Sequence, residues 1–218
     1  MTQNIATRLW GLGAVVAIAA CSAAGGPPPG ATPPAGSSTD PVARADSVRN
    51  SHVPADVGFM TDMIHHHAQA LAMARMAPTH GASGAIQVLA ERIIVGQNDE
   101  IALMQRWLHD RGEPVPDPAG GAHDGAHATH MPGMLTQEQL EELDAARGAE
   151  FDQLFLTFMI QHHQGALTMV EQLFGTYGAA QGDAVFKIAS DIGADQTSEI
   201  DRMRSMLREM LFENTGSR

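Results

Sequence analysis

The chain has 218 residues, with 13 Lys and Arg against 25 Asp and Glu and a formal charge of −12. That balance, with no basic stretch anywhere, excludes nucleic acid as a partner. A single cysteine leaves no internal disulfide to form, and 13 Met beside few aromatic residues suit one helical domain with a sizeable core.

Residues 1–20 are predicted to be a signal peptide. Arg8 precedes an apolar run over 9–20 that is too short to span a bilayer, and Ile18, Ala19 and Ala20 lead into Cys21. This ending reads as a lipobox, with Cys21 lipidated after cleavage; the competing reading is an ordinary secretory signal with a chance cysteine. Residues 21–43 hold the lipidated cysteine and a Pro/Gly/Ala-rich tether. The expected location is the cell envelope, anchored to the membrane through lipid and facing the periplasm or the exterior.

The folded part is expected over 44–214. Its first helix is predicted over 54–77, opened by Pro54 and ended by Pro78 and Gly81. The second covers 84–110, stopped by Gly112 and Pro114. A Gly-, His- and Met-rich linker follows over 112–135. Thr136 with Gln139 forms a capping box for a short helix over 137–147. Two long helices are then predicted over 150–174 and 183–212.

The domain is an internal repeat, 53–111 and 136–212. Asp56, Phe59, Met63, Ile64, His66, His67, Ala70, Leu71 and Met73 recur as Asp152, Phe155, Met159, Ile160, His162, His163, Ala166, Leu167 and Met169, each 96 positions on. Gln97, Glu100, Ile101, Met104 and Leu108 recur 99 positions on as Gln196, Glu199, Ile200, Met203 and Leu207. Each repeat is thus two segments joined by a loop of variable length. On a wheel of about 100° per residue, Asp56, Phe59, Met63, His66, His67 and Ala70 share one face, within about 60° of Met63. His65 and its counterpart Gln161 fall on the solvent side. Folding each repeat as an antiparallel hairpin brings each first histidine level with a Gln, and Met63 and Met159 level with a Glu. Two hairpins give an all-α, pseudo-twofold four-helix bundle whose central layer holds four His, two Gln and two Glu, lined by Met.

The doubled DxxFxxxMIxHHxxALxM pattern resembles the Domain of Unknown Function 305 family, as do the QxxEI segment that follows each copy and the MPGMLT of the linker. The resemblance runs over about 53–211. It implies a ferritin-like four-helix fold in an exported bacterial protein, with copper association in some members.

Neutral imidazole and thioether suit copper, thioether favouring Cu(I). Met63, His66, His67, Met73, Met159, His162, His163 and Met169 are the core candidates for ligands. Gln97, Glu100, Gln196, Glu199, Asp56 and Asp152 supply supporting polar groups. Equally, the His, Gln and Glu side chains can satisfy one another as a structural network without metal. His123, His127, His130, Met131 and Met134 in the linker form a second candidate set. A di-metal oxidase lacks ligands, because no Glu stands three residues before any of the paired histidines. No nucleophile setting is present, so no catalytic residue is assigned and the chain is read as a non-enzyme. The expected function is copper or similar metal handling by an envelope lipoprotein, against an interaction lipoprotein that binds no metal.

Overall fold

The structure is a computed structural model that describes residues 51–118 and 131–216. Five helices make it up, and no strand occurs among the described residues: α1 (Pro54–Ala74), α2 (Gly84–His109), α3 (Gln137–Ala145), α4 (Ala149–Gly175) and α5 (Asp183–Gly216). None of them is long and apolar enough to cross a membrane. Cys21, the leader, the tether and His123, His127 and His130 lie outside the described residues.

Local chemistry sets the helix ends. Pro54 starts α1, where a missing N–H costs nothing, and the Val53 N–H is taken by the Asp56 carboxylate at 3.0 Å. α1 stops at Ala74 rather than at the expected residue 77; a chain of turns carries it to Gly81, whose φ is +69°. The expected Thr136 and Gln139 capping box opens α3.

α1 packs along α2 and α4 along α5, and the two hairpins meet through α1 on α4 and α2 on α5. The apolar core falls into two halves. Ile86, Leu89, Ile93, Phe151, Phe155 and Met203 lead one, with Met73 and Met159 in it. Phe59, Met60, Met104, Leu108, Leu173 and Ile192 lead the other, with Met63 and Met169 in it. Since the first half joins the end of α1 to the start of α4, and the second does the reverse, those helices run antiparallel. His66, His67, His162, His163, Gln97 and Gln196 are all buried. By their positions on the helices they form the polar layer between the halves.

The expected inward carboxylates Asp56 and Asp152 are buried, but not in that layer. Asp56 accepts the Ala180 N–H at 2.7 Å, and Asp152 accepts the Ser83 N–H at 3.1 and 3.2 Å. Each therefore clamps the loop of the opposite hairpin. As supporting polar groups they act at a distance from the histidines: these carboxylates satisfy backbone donors at the two ends of the domain.

Candidate metal centre

The two second histidines are held alike. His67 Nε2 lies 2.7 Å from Glu100 Oε2, and His163 Nε2 lies 2.6 Å from Glu199 Oε2. The glutamates thus meet the histidines, not Met63 and Met159 as the level-by-level folding predicted. A helical side chain leans toward its own N-terminus, so a Glu one turn beyond the Gln reaches back to the histidine layer. Since a carboxylate only accepts, Nε2 carries the proton in the neutral ring and Nδ1 keeps its lone pair.

The two first histidines meet each other. Their rings stack at 3.8 Å between centroids, tilted by 40°. His66 Nε2 donates to the Pro132 carbonyl at 3.0 Å. Burial first, and then the neighbouring His67, push the His66 pKa down to about 3, although the Pro132 contact pulls it upward. Burial also holds His162 well below the usual imidazole range, with His66 and His163 adding to it. Both rings are therefore neutral at physiological pH.

Eight side-chain atoms of this layer have no hydrogen-bond partner among the described residues: Nδ1 of His66, His67, His162 and His163, Nε2 of His162, both polar atoms of Gln97, and Oε1 of Gln196. Gln97 is therefore not the partner of His66 that the sequence predicted. Three imidazoles with Nε2 tied and Nδ1 bare are oriented as metal-binding histidines are, with a carboxylate or carbonyl fixing the tautomer. No three His, Cys, Asp or Glu side chains converge as a ready ligand set among the described residues.

The Pro132 carbonyl arrives on a strap, residues 131–136, that crosses α1 and α4. Leu135 N–H donates to Gln69 Oε1 at 2.8 Å, while Gln69 Nε2 donates to the Leu135 carbonyl at 3.1 Å. Gly133 (φ +77°) and Gly165 meet backbone to backbone: a Cβ on Gly133 would come within 2.6 Å of Gly165 Cα, and one on Gly165 would run into the Pro132 carbonyl. Gln161, expected to be an ordinary surface residue, is half-buried and donates to the Gly133 carbonyl at 3.5 Å. His65 is also half-buried rather than solvent-facing, and its Nδ1 is shielded from water.

Beside the strap lies a cavity of about 380 Å³, lined by Phe59, Asp62, Met131, Pro132 and Met169 among others. Two of the sequence candidates, one from the linker and one from the core, thus share a wall. Met73, two turns from His66, is sealed in the apolar half around Phe151, and Met134 is half-buried in the strap.

Sequence reasoning missed Gln69, Gly165, the Pro132 carbonyl and Asp195. Asp195 stands one turn before Glu199; lost hydration and then the charges of Glu100 and Glu199 raise its pKa. Its i, i+4 spacing from Glu199 was the available signal.

The family model for "Domain of unknown function (DUF305)" matches residues 56–207. The chain belongs to this family. Among solved structures it is similar to a DUF305 fragment from Deinococcus radiodurans, at 28% identity and a TM-score of 0.62, covering 72% of this chain and 98% of that one. A DUF305 protein from Streptomyces coelicolor, named as secreted, shares 27% identity at a TM-score of 0.61, covering 72% and 93%. CopM in its Cu(II)-bound form shares 30% identity at a TM-score of 0.57, covering 71% and 96%; forms of CopM bound to Cu(I) and to Ag are also similar. No curated protein matches the chain.

Proposed function

We propose that this protein binds copper, or a similar soft or borderline metal, at its buried histidine layer, and serves metal homeostasis or tolerance in the cell envelope without catalytic turnover. The observation that carries this reading is the set of buried imidazoles that keep an unpartnered Nδ1 while Nε2 is fixed by Glu100, Glu199 or Pro132. Neutral rings suit a cation, and the low pKa of His66 keeps it available well into acid. The copper- and silver-bound forms of CopM support it, as does the secreted Streptomyces relative for export. The arrangement of the hairpins agrees with a ferritin-like four-helix bundle. Cys21 is the proposed lipid anchor, and Cys21→Ser is expected to release the protein from membranes or block its processing.

The test is titration of the purified protein with Cu(I), anaerobically, and with Cu(II). Stoichiometric binding at micromolar or tighter affinity is expected, and no binding in either oxidation state overturns the reading. A structural His–Glu network without metal is the second reading; the two short His–Glu contacts favour it, as does the lack of a convergent three-residue set among the described residues. Under that reading His67→Ala and His163→Ala lose stability, and whatever copper the protein takes up is bound away from the histidine layer and is kept by both variants.

A further inference from the structure

We infer that the cavity beside the strap is a separate site for a monovalent soft cation, held by the thioethers of Met131 and Met169. This deepens the metal-binding reading and rests on it. Both methionines line the cavity, and Met131 packs on the apolar half that contains Met169. They come from unrelated parts of the chain: Met169 from a repeat, Met131 from the linker, which has no second copy.

The repeat supplies an internal comparison. Met73 is the counterpart of Met169, yet it is fully buried among apolar side chains, as a space-filling methionine should be. Met169 instead faces a cavity of about 380 Å³, far more than one ion needs, so a cation can enter with part of its hydration. Thioether sulfur selects Cu(I) and Ag(I) over hard divalent ions, and a net charge of −12 draws cations toward the protein. Pro132 lines the cavity, and its carbonyl also accepts the hydrogen bond from His66 Nε2. One residue, Pro132, therefore touches both the thioether site and the histidine layer.

Silver(I) is the probe, because it does not change oxidation state and follows Cu(I) in ligand preference. The full-length protein and the variant Met131→Leu/Met169→Leu are titrated with Ag(I) by calorimetry, and separately with Cu(II). Leucine keeps volume and hydrophobicity, so the fold is retained and only sulfur is lost. Met131→Leu alone, on the half-buried strap residue, serves should the double variant unfold; Met134→Leu is the control within the strap. The variant is expected to lose one equivalent of Ag(I), and its absorption spectrum the corresponding sulfur shell, while Cu(II) binding stays. Unchanged silver stoichiometry and sulfur scattering in both Leu variants overturn the cavity site and leave the histidine reading standing. Silver binding that is lost in the variant, in a protein that takes up no Cu(II), supports the cavity and counts against the histidine layer as the site. Equal loss in Met134→Leu overturns the assignment to this cavity.

Discussion

The two histidine pairs are copies, yet only one of them is latched. His67 and His163 hold their glutamates at 2.7 and 2.6 Å, as duplicates should. His66 donates to Pro132, whereas neither nitrogen of His162 has a hydrogen-bond partner among the described residues. The strap makes the difference, because a chain with two repeats has one linker. Gln69 grips the strap, and its counterpart Gly165 gives it room. Duplication built a symmetric core, and the linker made two equivalent histidines unequal.

The largest expected effect concerns what the two halves share. His66 and His162 have folded pKa values below 6.5, so the unfolded chain binds more protons between the two values. Their stabilisation is fully present above about pH 6.5 and is lost as the pH falls toward about 3 for His66. His66 contributes a slope of at most about 1.4 kcal/mol per pH unit in that window, and His162 adds in the same direction. Denaturant unfolding between pH 7 and pH 5 measures it. An acid slope unchanged by His66→Leu and by His162→Leu would mean that these rings are not buried as neutral species.

Next in size is the seat of the strap. On helix propensity alone Gly165→Ala should gain about 1 kcal/mol. Its Cβ meets the Pro132 carbonyl, so a loss of about 1–3 kcal/mol is expected, read as a fall in melting temperature. A more stable Gly165→Ala protein would show that the strap does not rest on α4.

The sharpest contrast lies between the two first histidines. His66→Leu leaves the Pro132 carbonyl without its donor, at a cost of about 1–3 kcal/mol. His162→Leu removes two unpartnered nitrogens from the core and should be near neutral or stabilising. Equal losses in thermal unfolding would erase the asymmetry. The smallest effect belongs to His65: changing it to Gln, the residue of the other repeat, should shift stability by no more than about 0.5 kcal/mol.

The repeat made much of this legible. It fixed the inward face of His66, His67, His162 and His163, and capping residues such as Thr136 marked where helices begin. It could not reveal the strap contacts, because an averaged motif describes what the copies share and the strap occurs once. Side-chain patterns also do not register a backbone carbonyl, so the role of Pro132 stayed hidden. Glu100 and Glu199 were placed inward correctly but one partner away, since equal spacing along two axes ignores the lean of helical side chains. Asp56 and Asp152 show the same inward periodicity as the histidines, and only the fold separates a loop clamp from a core ligand.

The crossed aspartates carry a consequence for ancestry and assembly. Asp56 closes the loop that Asp152 belongs with, and Asp152 closes the loop that follows α1. Neither hairpin contains the carboxylate that finishes its own turn; each borrows it from its sibling. A lone hairpin could complete itself only by pairing with another copy in the same reciprocal grip. The duplicated chain has the form of such a homodimer fused end to end.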